Sequence, residues 1–520
     1  MKVIPIDFLL ERAYCLSRLC RARERVKYWV IILSFAVSAV LTGLLAMPVL
    51  AENPNILIIT ADDLGYNDVG YNGSVIRTPT LDGLANQGVV LSHFYAHPYC
   101  SPTRSALMTG NSPLRTGVLR PFGKNSKKSL PLELKTLPEY FREKDYQTYL
   151  VGKWHLGHAR RSYLPTARGF GHFYGHVTGG IGFWDKVHGG GFDWQRNGST
   201  MREGGYATHL IAKEATVLLS ESRDRPFLMF VNFNAPHLPN EAPADTIASY
   251  SNIEDLRRRT HAAMVTELDL ALQKILQVLR AQGSLENTII WFMSDNGGLI
   301  PGPVPDFRFA TIDRKGKPLA EDNPKPQMFI DFVTLNATEG GSDNTPYQRG
   351  KGSVWEGGIR VPSFVTWADR IKPGRREDLV TVEDVLPTLL QLAGIGARFS
   401  EGMDGTDRSA LLFGGDPASR KPYATSGNDG EAYVSMPWKL IKPYNGKAFL
   451  FNLAMDPNER LDVAAQEPNK VLKLAALLEA FPRGQPVTGV PGDVDPDFIW
   501  DPDFFGGHED RMPWADIVTD

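Results

Sequence analysis

Short, continuous apolar runs separated by helix-length segments constrain this chain more than any other feature. Asn55-Ile56-Leu57-Ile58-Ile59-Thr60, Phe227-Leu228-Met229-Phe230-Val231-Asn232 and Thr288-Ile289-Ile290-Trp291-Phe292-Met293 each read as a buried strand. Tyr149-Leu150-Val151 is a further strand-like stretch. Between the second and third runs, residues 254–281 place Met264, Leu268, Ala271, Ile275 and Leu279 on one face of a long helix. This alternation predicts an α/β fold, a large mainly parallel sheet flanked by helices. From about residue 416 the pattern changes. Trp438–Ile441 and Ala448–Leu453 read as short strands joined by a turn, with a helix near 468–481, so a smaller C-terminal antiparallel sheet subdomain is expected.

Ligands of open α/β sheets bind beyond the carboxyl ends of the strands. Acidic pairs fall at those ends: Asp62-Asp63 after the first run and Asp295-Asn296 after Met293-Ser294. Either pair alone could be a turn former. Together they supply oxygen donors with no imidazole or thiolate, a set that favours calcium or magnesium over zinc.

A third connection carries Cys100, in Tyr99-Cys100-Ser101-Pro102-Thr103-Arg104-Ser105-Ala106-Leu107-Met108-Thr109-Gly110. The only other cysteines, Cys15 and Cys20, precede an apparent export signal, so Cys100 has no disulfide partner once that signal is removed. Pro102 suits a first helical turn and Ser101 can cap it, which would set Cys100 at the positive end of a helix beside Arg104.

The Cys100-x-Pro102-x-Arg104 run with Thr109-Gly110 resembles the signature of type I sulfatases, the formylglycine-dependent, arylsulfatase-like branch of the alkaline phosphatase superfamily. Further matching stretches follow in the family's order: Gly152-Lys153-Trp154-His155-Leu156-Gly157, Ala235-Pro236-His237-Leu238-Pro239, Lys351 within Gly350–Gly358, Trp438-Lys439-Leu440-Ile441 and Asp456-Pro457-x-Glu459. The resemblance implies an alkaline-phosphatase-like sheet and hydrolysis of sulfate esters to alcohol and inorganic sulfate. It implies that Cys100 is converted to formylglycine by a formylglycine-generating enzyme. One Ca2+ per chain would be held by Asp62, Asp63, residue 100, Asp295 and Asn296. Arg104, Lys153 and Lys351 would balance charge on the sulfate, His237 would protonate the leaving oxygen, and His155 would take the hydrate's remaining proton. By formal charge these groups with a divalent cation sum to about +2, a sign suited to a sulfate ester.

Composition and flanking segments narrow the reading. A net charge of −3 argues against nucleic acid as a partner, and the basic run Arg257-Arg258-Arg259 reads as a solvated helix face. Basic residues up to Lys27, an apolar run to about Leu50 and small residues Val49 and Ala51 predict residues 1–51 as a signal peptide or N-terminal anchor. The expected division is then 52–415 as catalytic domain and 416–520 as antiparallel subdomain and tail, in an exported protein, periplasmic or secreted. Residues 157–200 and 299–345 lack regular periodicity. In the former, His172, His176 and His188 among glycines and aromatic rings read as loop surface rather than a zinc site. The expected partner is a sulfated small molecule or sulfated carbohydrate. Two alternatives stay open: a phosphonate monoester or phosphodiester hydrolase using the same modified cysteine, and a non-catalytic protein that binds sulfated glycans.

Overall fold

Strand β1 (Asn55–Ala61) is buried on both faces from Ile56 onward, which is why it can carry the continuous apolar run Ile56–Ile59. The computed structural model describes residues 53–487 apart from 124–125, 127, 189–190, 222–223, 301–338, 397–401 and 417–418. The expected export segment, the C-terminal tail and most of the 299–345 stretch lie outside the described residues. After β1 come α1 (Pro79–Gln87), β2 (Val89–Tyr95), α2 (Cys100–Thr109), β3 (Gln147–Gly152), β4 (His172–Gly175), β5 (Gln195–Arg196) and β6 (Ser199–Thr200). Then follow α3 (Ala207–Ser220), β7 (Phe227–Asn232), α4 (Leu256–Ala281), β8 (Thr288–Ser294), β9 (Ser363–Thr366), β10 (Gly374–Thr381) and α5 (Val385–Leu392). The C-terminal part holds β11 (Tyr423–Ser426), β12 (Glu431–Ser435), β13 (Trp438–Lys442), β14 (Phe449–Asn452) and α6 (Pro468–Glu479).

The large sheet has ten strands in the order β10-β2-β9-β8-β1-β7-β3-β4-β5-β6. Its centre, β8-β1-β7-β3-β4, is parallel throughout, as the apolar runs predict. Antiparallel pairing enters through β9 on one side and β5 and β6 on the other. Leu57, Ile59 and Ala61 pack into one core with Ile211 and Leu219 of α3 and Met264, Leu268 and Ile275 of α4. Ile56 and Ile58 face the opposite core, with Ala106 and Met108 of α2 and Leu386 and Leu389 of α5. Asp255 caps α4 by accepting from Arg257 N at 2.9 Å, and the predicted face from Met264 to Leu279 is buried.

The basic run at the start of α4 is the solvated face expected only at Arg257, and its other two arginines reach inward. Arg258 reaches the buried Asp68, Arg259 Nε donates to Ile253 O at 2.7 Å, and Arg257 pairs with Asp255. The two elements read from 438–441 and 448–453 are adjacent strands of a four-stranded antiparallel sheet, β11-β12-β13-β14. That sheet shares a core with the large one: Tyr423, Val434 and Ile441 pack with Tyr95, Trp355 and Leu379.

A buried ion cluster ties the two sheets. Lys439 Nζ on β13 lies 2.8 Å from Glu356 Oε1 and 2.6 Å from Glu459 Oε1, all three residues nearly inaccessible. Burial raises the Glu459 carboxyl to about 7 although Lys439 opposes it, and Glu356 adds to the rise. Removing Lys439 leaves the buried Glu459 carboxylate without a cation and Glu356 with Arg360 alone, 3.5 Å away, a change that typically costs about 3–5 kcal/mol. Lys439→Met should therefore lower unfolding stability by that order in urea titrations. A carboxyl held above its unfolded pKa loses its contribution as pH rises through the folded value, so the deficit should be larger near pH ~8 than near pH ~5.

Candidate active site

The register of the central strands gathers the site. Ala61 pairs with Ser294 across β1 and β8, so Asp62 and Asp295 emerge side by side from adjacent strand ends. Asn232 at the end of β7 pairs with both Thr60 and Gly152, which brings Lys153 to the same edge. Backbone bonds continue past the strands and hold these positions: Asp295 N donates to Ala61 O at 3.0 Å and Lys153 N to Asn232 O at 2.9 Å.

Each of three buried carboxylates meets one cation. Lys153 Nζ lies 2.5 Å from Asp62 Oδ2, Lys351 Nζ 2.7 Å from Asp63 Oδ2, and Arg104 donates to Asp295 Oδ2 from Nε and Nη2 at 3.0 and 2.8 Å. Arg104 Nη1 also donates to Lys153 O at 3.0 Å. Burial works against the charge on Asp63, but Lys351, with His237 and Lys153, holds that carboxyl well below the usual range. Asp62 goes the other way, because burial and the neighbouring Asp295 outweigh Lys153 and push it up.

Helix α2 begins at Cys100 with Tyr99 in extended conformation before it, so Cys100 does sit at the positive end of a helix. Every residue of α2 is buried, and Arg104 lies one turn on from Cys100. Ser101 is not the cap expected. It is the second helical residue, and its hydroxyl donates to His155 O at 2.9 Å and accepts from Phe122 N at 3.2 Å. The side chain thereby joins the loops that carry His155 and Phe122 to the start of the helix. Burial pushes the Cys100 thiol up, and Asp62 and Asp295 push the same way against Lys153 and Lys351. That environment disfavours a thiolate.

The donor set fits a hard cation. Ligand atoms of Asp62, Cys100 and Asp295 lie within 4.8 Å of one another, as do those of Asp62, Asp63 and His237. Asn296 Nδ2 donates to Asp63 Oδ1 at 2.7 Å, while Asn296 Oδ1 and Asp62 Oδ1 are buried without a hydrogen-bond partner. Two orphaned buried oxygens, one of them on a carboxylate that faces two more, are satisfied by a cation more simply than by any side chain nearby.

The two histidines approach from the other side. His237 Nδ1 lies 2.7 Å from Leu238 O, which can only accept, so Nδ1 carries a proton and Nε2 points toward Asp63 Oδ2, 3.6 Å away. Burial, with Lys351, pushes His237 down to about 3. His155 Nε2 donates to Phe122 O at 2.9 Å, which makes Nδ1 its accepting atom.

Sequence reasoning placed all ten site positions within this one region but missed what supports them. Gly179 and Gly180 lie against the rings: a Cβ there would come within 2.7 Å of His155 and 3.0 Å of His237. Asp193 holds this loop, accepting from Val177 N at 3.0 Å, Thr178 N at 2.8 Å and the Thr178 hydroxyl. Asn232 Nδ2 donates to Lys153 O at 3.0 Å, and Ser294 Oγ accepts from Leu64 N at 3.0 Å and donates to Asn296 O at 2.8 Å. The signal for the last two was a polar residue closing an apolar strand. The expected loop surface around His172 and His176 is instead structural. His172 lies on β4, 2.9 Å from Glu214, and His176 is fully buried with its ring stacked on Trp194.

Comparison with known proteins agrees with this geometry. The chain matches the Sulfatase family over residues 54–395. It is 31% identical to Arylsulfatase J of Mus musculus across 85% of this chain and 77% of that protein. It is 30% identical to N-acetylgalactosamine-6-sulfatase of Canis lupus familiaris across 72% of this chain and 69% of the relative. The crystal structure of Ps i-CgsB in complex with k-i-k-neocarrahexaose superposes with a TM-score of 0.71 at 29% identity, covering 84% of this chain and 94% of that one. The chain belongs to the sulfatase family and is a sulfuric ester hydrolase.

Proposed function

We propose that this enzyme hydrolyses sulfate esters of a carbohydrate, with formylglycine made from Cys100 as its nucleophilic group and one bound Ca2+. The observation that carries the reading is the enclosure of Cys100, at a helix start, by Asp62 and Asp295 with Lys153 and Lys351 nearby. The relatives support the carbohydrate: one is named for N-acetylgalactosamine 6-sulfate, and the solved neighbour holds a neocarrahexaose. The reading also requires a formylglycine-generating enzyme as maturation partner. It includes export, with residues 1–51 as signal peptide or anchor, and a catalytic part (52–415) followed by a C-terminal subdomain.

Asp62, Asp63, Asp295, Asn296 and residue 100 would hold the cation, which when bound neutralises the carboxylates and polarises oxygens of nucleophile and ester. A formylglycine hydrate supplies two hydroxyls, one to attack sulfur and one to expel the sulfate afterwards. Arg104 and Lys153, fixed by their carboxylates, would add positive charge beside the sulfate oxygens, and Lys351 would do so from its turn. His237 keeps its Nδ1 proton on Leu238 O, so only Nε2 can exchange a proton with the departing oxygen. His155 offers Nδ1 to take the second hydroxyl's proton.

Four outcomes are expected. Protein from a host with the maturation enzyme should yield a Cys100 peptide whose mass shows sulfur and two hydrogens lost and one oxygen gained; an intact thiol in active protein would sink the mechanism. Metal-free enzyme should be inactive toward a chromogenic sulfate ester and regain turnover with calcium, and calorimetry should find one calcium site that Asp295→Ala loses. The same chromophore as phosphate or phosphonate ester should turn over far more slowly than the sulfate. Finally, general acid help is typically worth about 10²–10⁴-fold. His237→Ala should therefore slow esters of poor leaving groups far more than activated aryl sulfates, whereas Lys351→Ala should slow both alike. A plot of rate against leaving-group pKa whose slope His237→Ala leaves unchanged would assign the proton to another residue.

A further inference from the structure

Lys351 rides on a turn whose backbone is unusual on both sides, with Arg349 at φ 64° and Gly352 at φ 86°. One flank is held by the catalytic core: Lys351 N donates to Gly298 O at 3.1 Å and Gly352 N to Pro98 O at 2.7 Å. The other flank is held by the turn between β11 and β12 of the small sheet. Asn428 N donates to Gly352 O at 2.7 Å. The Asp429 carboxylate accepts from Val354 N at 3.0 Å, Ser353 Oγ at 2.5 Å and Arg349 Nη1 at 2.8 Å. A Cβ on Gly427 would stand 2.8 Å from Gly352 O, so the two turns touch through backbone. One carboxylate thus bonds residues on both sides of Lys351, two before it and two and three after it.

We propose that Asp429 is a positioning residue for Lys351, and that the small sheet thereby completes the active site rather than merely packing beside it. The proposal rests on the reading of Lys351 as a sulfate-contacting cation. Asp429 lies outside the segment that matches the Sulfatase family model, which ends at residue 395. A left-handed residue such as Arg349 is held by the contacts around it, and Asp429 supplies three bonds to this turn. Without them the Lys351 ammonium would be placed by its pair with Asp63 alone rather than by the turn as well.

A double-mutant cycle on the matured, calcium-loaded enzyme tests this, with 4-nitrophenyl sulfate as substrate. Lys351→Ala alone reports the underlying reading, because an unchanged kcat/KM would refute Lys351 as a sulfate contact whatever Asp429 does. Asp429→Ala should lower kcat/KM by about 10-fold or more in the Lys351 enzyme. It should lower it less than about 2-fold in the Lys351→Ala enzyme, where no ammonium is left to misplace. Inhibition by inorganic sulfate should weaken in Asp429→Ala in parallel. Losses that multiply in the double variant, or no loss in Asp429→Ala, would overturn the proposal. Should Asp429→Ala fail to fold, Asp429→Asn, which keeps an acceptor for Val354 N but loses the ion pair with Arg349, carries the same cycle under the same criteria.

Discussion

Three ion pairs sealed beneath the strand ends hold this molecule's working part together. Lys153–Asp62, Lys351–Asp63 and Arg104–Asp295 join residues 91, 288 and 191 positions apart in sequence. Each charge is close to fully buried, so each would be costly alone and tolerable only with its partner in place. The consequence is mutual dependence. Helix α2 is docked by Arg104, the end of β3 by Lys153, and the rim turn by Lys351, all onto two neighbouring strand ends. A shift in any one segment would strand a buried charge in another. The pairs also fix the local sign. The cations consume the carboxylates' charge on one side, while Asp62 Oδ1 and Asn296 Oδ1 remain open on the other, which is where a cation fits.

The sheet was legible because its central strands are covered on both faces. Continuous apolar runs such as Ile56–Ile59 have few other ways to be buried, and the acids that follow β1 and β8 mark the carboxyl edge. Strand β10 was not legible, since Gly374-Arg375-Arg376-Glu377-Asp378-Leu379-Val380-Thr381 is an edge strand with an exposed first half and only three buried residues. Strand β9, four residues long, offers too little sequence to show a period. Its antiparallel direction between β2 and β8 depends on pairing across the sheet, which no local pattern carries.

Within the site, residue types with a direct chemical purpose could be read, and residues that act through geometry could not. Ser101 has the composition of a cap, yet tertiary contact with His155 and Phe122 claims its hydroxyl. His176 looks like a ligand or a surface ring, and stacking on Trp194 settles it in the core. Gly179 and Gly180 look like loop filler. Their function is negative: they are the absence of side chains where the backbone must pass within contact of two imidazoles.

That glycine contact divides the site into two halves with different freedom to vary. On the sulfate side every charged group is locked in a buried pair, so a substitution there disturbs a partner as well as a substrate contact. On the histidine side the chain approaches through bare backbone, held from behind by Asp193. On the function proposed above, side chains flanking the glycine pair would contact the leaving alcohol, because the pair itself offers none. That would separate sulfate-binding chemistry from recognition of the alcohol, on a loop that can change without unsettling the three ion pairs. The same loop is the stretch whose sequence shows no regular period, as expected of residues selected for a ligand's shape rather than for a core.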